Sequence, residues 1–232
     1  MTVKNLVRPL PGVRRLSQLR QRTGFRGSAL YWERRYSHGG TSGAGSYDAA
    51  AEAKAAFLND FVHTRQVGSV IEFGCGDGNQ LSLAEYPSYI GLDVSRSAVE
   101  LCQRRFADDP TKSFFLYDGA CFTDRAGLFT ADLAVSLDVI YHLTEDPVFE
   151  AYMTHLFAAG AKYVIVYTTN EERRGTAPHV RHRRFTLWVE AHCPDWRFLE
   201  MGESDIDHPD FFTYERVAHV THGKERSGSE TF

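Results

Sequence analysis

The chain has 232 residues, 43% of them hydrophobic and 24% charged, with a net charge of −4, which is the balance of a single globular domain with embellishments. No apolar run approaches the length of a membrane span, which excludes a transmembrane helix. The four cysteines, Cys75, Cys102, Cys121 and Cys193, form no CxxC pair; this argues against a disulfide scaffold or a Cys-rich zinc site and fits a reducing, cytoplasmic setting.

The charge is unevenly spread. Residues 1–35 hold nine Lys or Arg and one acid, Glu33, which leaves −12 on the remainder. A basic arm on an acidic body could touch nucleic acid, an acidic lipid surface or the body itself. Pro9, Pro11 and Arg14-Arg15 interrupt any signal-peptide core; the Arg-rich start resembles a transit peptide, but serine is sparse and proline breaks the helix.

In chain order, residues 1–30 read as a poorly specified arm with at most a short helix from Val13 to Leu19. The run Gly39-Gly40-Thr41-Ser42-Gly43-Ala44-Gly45-Ser46 reads as a flexible connector, either a linker or a flap over a site. Asp48 is placed to N-cap an Ala-rich helix with Phe57, Leu58, Phe61 and Val62 on one side. Strands are expected at Ser69–Phe73, Tyr89–Leu92, Phe114–Tyr117, Leu133–Leu137 and Tyr163–Tyr167. Ser95 can cap a helix reaching Phe106, and Phe149–Ala159 is a helix stopped by Gly160. Residues 168–184 form a polar, Arg- and His-rich loop, Phe185–His192 a short helix, and Trp196–Glu200 with Phe211–Val220 an antiparallel edge pair. Strands alternating with helix-length segments predict an α/β fold: a Rossmann-like, seven-stranded, mostly parallel sheet with an antiparallel last strand and helices on both faces. The expected organisation is an arm and Gly-rich flap over 1–47, a catalytic domain over 48–222 and a polar tail over 223–232.

Strand one runs into Glu72-Phe73-Gly74-Cys75-Gly76-Asp77-Gly78-Asn79. Missing Cβ atoms let the backbone turn sharply and lie against a ligand. A dinucleotide fold would want glycine at position 79, and a phosphate-cradling loop would want Lys-Ser/Thr; neither is present. Glu72 would repel a pyrophosphate and suits a ligand with a positive amine. Strands two, three and four finish at Asp93, Asp118 and Asp138, at the strand ends where open α/β sheets bind ligands.

These residues resemble the class I S-adenosylmethionine-dependent methyltransferases over roughly residues 48–170, with a weaker continuation through the last two strands. The resemblance implies a methyl-transferring enzyme that binds S-adenosyl-L-methionine. Glu72, Gly74, Gly76 and Gly78 would line its methionine part. Asp93, followed by Val94, would take the ribose hydroxyls. Asp118, followed by Gly119, would meet the adenine amine. Asp138 would border cofactor and substrate. Tyr31-Trp32-x-x-Arg35-Tyr36 followed by Gly39-Gly40-Thr41-Ser42-Gly43 is also similar to the opening of bacterial polysaccharide-pathway methyltransferases, such as the sugar 1-O-methyltransferases that begin methylmannose polysaccharides.

A hydroxyl acceptor needs a proton removed as it attacks, and His142, four residues after Asp138, is the leading general base. Capping or packing is its alternative use. Asp138 would position His142, bind a metal or simply terminate the strand. Tyr141, His142, Asn170 and Arg173 are the candidate acceptor contacts. Asp138, Asn170 and Glu171 are candidate ligands for Mg2+, against the alternative that Glu171 and Glu172 pair with nearby arginines. The acceptor expected is a small molecule or oligosaccharide, with N- or carboxyl-methylation of another small molecule or peptide as the competing reaction. Nucleic acid is excluded here on the absence of an RNA-binding signature, and a homodimer is left open.

Overall fold

The computed structural model describes residues 25, 27–202 and 210–217. The expected helix over Val13–Leu19 and the tail over 223–232 lie outside them. Helix α1 spans Ser28–Ser37 and α2 Asp48–Thr64. Strand β1 is Val70–Phe73, β2 Tyr89–Asp93, α3 Arg96–Arg105, β3 Lys112–Leu116 and β4 Ala131–Leu137. Then follow α4 (Asp146–Ala159), β5 (Gly160–Thr168), the two-residue strands β6 (Arg173–Arg174) and β7 (Arg181–His182), α5 (Phe185–His192), β8 (Trp196–Gly202) and β9 (Asp210–Arg216). Among the described residues no helix is long and apolar enough to cross a membrane.

Seven strands form one sheet in the order β3-β2-β1-β4-β5-β9-β8. The first five are parallel, and β9 runs antiparallel to both its neighbours. Side chains alternate between two cores. On one face Ile71, Phe73, Ala134, Val164 and Val166 pack with Met153 and Leu156 of α4 and with Phe185 and Val189 of α5. On the other, Val70, Leu133, Val135 and Ile165 pack with Leu58 and Phe61 of α2 and with Val99 and Cys102 of α3. A strand covered on both faces reads as an unbroken apolar run, as β1 and β5 do.

The chain winds outward from β1 to β3 on one side and from β4 on the other. Their connections leave in opposite directions, which opens a crevice above the carboxyl ends of β1, β2 and β4. The strand expectations hold with boundary shifts of one to three residues, except that the last strand ends at Arg216 and its expected end at Val220 lies outside the described residues. Three local expectations change. Asp48 is the first helical residue, with Tyr47 at the cap position and no capping side chain; its carboxylate still sits favourably at the positive end of the helix. The loop over 168–184 contains the β6–β7 hairpin. Part of the expected arm is the ordered helix α1, and the glycine-rich run after it is packed against the glycine loop.

Candidate active site

A cavity of about 720 Å³ opens over the carboxyl ends of β1, β2 and β4. The glycine loop forms its floor because its backbone takes turns that other residues resist: φ is +87° at Gly74, +58° at Gly76 and +74° at Gly78. A Cβ on Gly74 would collide with Val139, and one on Gly76 with Ser42. The Gly74 and Cys75 amides both donate to the Leu92 carbonyl, at 2.7 and 3.1 Å. That ties the end of β1 to the end of β2.

Two buried carboxylates face this floor. Asp93, 6% exposed, accepts from the Gly76 amide at 2.9 Å and the Ser95 amide at 2.8 Å. Burial nevertheless outweighs these bonds and pushes its carboxyl up to about 6. Glu72, 4% exposed, accepts from the Tyr89 hydroxyl at 2.6 Å, and burial pushes it up to about 7. Among the described residues the cavity lining includes no Lys or Arg. A cation-bearing nucleoside with a free diol fits such a lining, and a pyrophosphate does not. Val94, Asp118 and Gly119 also line the cavity. Asp118 is exposed and closes its own turn through the Ala120 amide at 3.0 Å.

Asp138 lines the cavity in a left-handed backbone conformation, φ +60°. Its carboxylate oxygens accept from Lys54 Nζ at 2.5 Å and from the Tyr141 hydroxyl at 2.8 Å. They do not hydrogen-bond His142, so the expectation that Asp138 orients the histidine is corrected. That task falls to the His179 carbonyl, 3.0 Å from His142 Nδ1. A carbonyl only accepts, so the proton sits on Nδ1 and the lone pair on Nε2. His142 lines the cavity against the edge of Trp32, with ring centres 4.9 Å apart. Burial lowers its pKa to about 4.

The other expected acceptor contacts lie elsewhere. The Tyr141 hydroxyl is committed to Asp138. Asn170 bonds Thr186 at 3.0 Å, and Arg173 bonds Glu171 at 2.7 Å. Tyr141, Asn170 and Arg173 do not line the cavity. The proposed ligand set is therefore not assembled: Asp138, Asn170 and Glu171 each have protein partners. Among the described residues no three His, Cys, Asp or Glu gather around a cation position. Much of the arginine cluster is also spoken for, since Arg181 and Arg183 share Asp146 at 2.7 and 2.8 Å.

Two contributors escaped the sequence reading. Helix α1 roofs the cavity and is fastened at three points. The Ser28 hydroxyl donates to the His142 carbonyl at 2.6 Å, and Glu145 accepts from the Ser28 amide at 3.0 Å. Glu33 accepts from the Ser95 and Ser97 hydroxyls, both at 2.7 Å, across the start of α3. Asp77 accepts from the Ser42 amide at 2.9 Å and the Tyr47 hydroxyl at 2.8 Å, which seats the segment after α1 on the glycine loop. A lone acid, Glu33, in a basic stretch was the available signal. The second contributor is Lys54, 1% exposed beneath the site. Ala51, Lys54, Ala55 and Leu58 share one helical face, and a lysine inside an apolar stripe is a mark of a buried partner.

The sequence profile of a family described as "Methyltransferase domain" matches residues 47–220. The small RNA 2'-O-methyltransferase of Arabidopsis thaliana is 32% identical over 123 residues, 47% of this chain. That alignment spans only 13% of the plant protein's length. The methyltransferase domain of the bacterial protein CtHen1-C superposes with a TM-score of 0.57 at 25% identity, covering 72% of this chain and 98% of that domain. The N-methyltransferase NodS of Bradyrhizobium japonicum, solved with S-adenosyl-L-homocysteine, superposes with a TM-score of 0.63 at 16% identity, covering 82% of this chain and 98% of NodS; it shares the fold. No sugar acceptor is named among these relatives, so the expected kinship with polysaccharide-pathway enzymes gains no support. The RNA relative also removes the ground for excluding nucleic acid.

Proposed function

Since this chain belongs to the methyltransferase-domain family and is an S-adenosylmethionine-dependent methyltransferase, we propose that it methylates a hydroxyl of a sugar unit, free or as ribose, with His142 accepting the proton. The bound cofactor supplies an electrophilic methyl group on a sulfonium. Glu72, Asp93 and the backbone of Gly74 to Gly76 hold it, Asp118 faces the same cavity, and Gly78, expected beside it, is not in the lining.

The observation that carries the reading is the tautomer of His142. With Nδ1–H engaged by the His179 carbonyl, Nε2 is the ring atom able to accept a proton. A hydroxyl is a poor nucleophile while it keeps its proton, and an aligned base removes it as the new O–C bond forms. Burial keeps the imidazole neutral through the physiological range, with its Nε2 lone pair available though less basic than that of a free imidazole. Trp32 and Tyr141 wall the ring and limit water around it. The RNA-modifying relative, named for a ribose hydroxyl, supports the same acceptor chemistry.

The test is His142→Gln assayed against sugars, ribonucleosides and a carboxylate acceptor, with S-adenosyl-L-homocysteine affinity measured in parallel. Hydroxyl transfer should fall by about 10²- to 10⁴-fold while homocysteine-cofactor binding persists. Full hydroxyl turnover in the variant would rule out the histidine as base.

A further inference from the structure

Just outside the cavity lining, on the far side of Trp32, α1 places Arg35 near His142 and His179. Arg35 Nε donates to the Thr41 carbonyl, and Nη1 donates to the Tyr31 hydroxyl at 3.4 Å. Its guanidinium carbon lies 5.5 Å over the Trp32 ring, which also packs against His142 at 4.9 Å. Tyr31 stacks on His179 at 4.1 Å, and His179 stacks on His142 at 5.5 Å. The guanidinium is thus held in one orientation by a ring, a hydroxyl and a carbonyl.

Among the described residues it meets no counter-charge: no carboxylate pairs with Arg35, whereas Arg173, Arg181 and Arg183 each have one. Two of its five N–H donors are used, which leaves three, including both on Nη2. The charge also reaches the two imidazoles: burial, and then Arg35, hold His179 below its ordinary value, and Arg35 adds to the lowering at His142. A half-buried, pre-oriented guanidinium with spare donors and no acid is costly to keep unless an oxyanion completes it. Neutral histidines around it would not compete for that anion.

We infer that Arg35 is the anion-binding residue of an acceptor subsite, and that the acceptor carries an oxyanion next to its reacting hydroxyl. The inference rests on the hydroxyl reading above and names the substrate class within it. A phosphate ester on a small sugar, a uronate carboxylate and a phosphodiester between two nucleosides all offer this chemistry. The guanidinium fork suits each of them bidentately.

Calorimetry with inorganic phosphate on the protein loaded with S-adenosyl-L-homocysteine tests the subsite without turnover. Arg35→Met should weaken phosphate binding at least tenfold, whereas Arg34→Met, an equal loss of charge at an exposed neighbour, should change it less than twofold. Arg35→Lys keeps the charge without the fork and should recover only part of the affinity; it also serves if the methionine variant folds poorly. Turnover on three matched pairs then separates the sources: a sugar against its phosphate, a sugar against its uronate, and a nucleoside against a dinucleotide. At least one charged member should be preferred tenfold or more, and Arg35→Met should erase that preference. No phosphate binding by the parent protein, equal losses at residues 34 and 35, or no charged preference in any pair would each overturn the subsite. His142→Gln provides the separate control: full turnover there sinks the base, and leaves the phosphate measurement standing on its own.

Discussion

Lys54 is a buried, paired charge beneath the site, and removing it offers a quantitative test of the site's construction. Its ammonium is 1% exposed and sits 2.5 Å from Asp138 Oδ2 and 5.1 Å over the Tyr167 ring. Lys54→Met keeps the length of the chain and deletes the charge. Breaking one side of a buried pair costs about 3–5 kcal/mol, because the other ion stays desolvated. Asp138 keeps the Tyr141 hydroxyl at 2.8 Å, which places the expected loss at the low end. A loss of about 3 kcal/mol corresponds to roughly 6–12 °C in melting temperature for a chain of this size. Asp138→Asn should be comparably harmful, since it strands the ammonium. The double variant should be less harmful than the sum of the two, with a coupling of at least about 1 kcal/mol, in the range seen for contacting residues. Thermal and denaturant unfolding of the four proteins gives the cycle directly. Strict additivity would mean that the pair does not hold the end of β4 to α2.

Three further outcomes follow from the geometry. Burial raises Asp93 from its ordinary 3.8 to about 6 and Glu72 from 4.5 to about 7. Because these native values exceed the unfolded ones, the unliganded protein binds more protons than the unfolded chain and loses stability as pH rises between about 4 and 7. A ligand that gives cations or hydrogen bonds to the ionised forms should therefore bind more tightly at pH 7.5 than at pH 5.5; calorimetry with S-adenosyl-L-methionine showing a flat profile would contradict this. Glu33→Gln should loosen the roof by weakening charge-assisted bonds to Ser95 and Ser97, costing about 1–3 kcal/mol and appearing as faster proteolysis within residues 28–47. Gly74→Ala should abolish cofactor binding, since φ +87° and the Val139 side chain both oppose a Cβ; wild-type affinity in that variant would show the loop to be more pliable than drawn.

The core of the fold was legible in the residues because its signals are local. Apolar runs of strand length, Ser95 as a cap and the glycines after β1 each report their own backbone. The Ser95 side chain does accept from the Ala98 amide, at 3.1 Å. The carboxylates at 72, 93 and 138 were also legible, since each lies at a strand end and the parallel topology then brings those ends together. Residues whose role depends on a distant partner were not. His142 was found as a candidate, but its orienting group is a backbone carbonyl 37 residues on, which carries no sequence signature. Asn170, Glu171 and Arg173 follow β5 as expected, yet their loop folds into its own hairpin and turns them to partners outside the cavity.

The glycine-rich segment after α1 shows the same division. Composition marks the stretch as a flexible connector, but the tertiary structure brings Asp77 within reach of the Ser42 amide and the Tyr47 hydroxyl. Sequence alone determined the strand–helix alternation and the glycine floor of the site, because backbone preference and burial pattern are written residue by residue. Tertiary structure decided which charges are neutralised, which nitrogen of His142 is free and that Arg35 meets no acid among the described residues, because those are properties of pairs that meet only when the chain has closed.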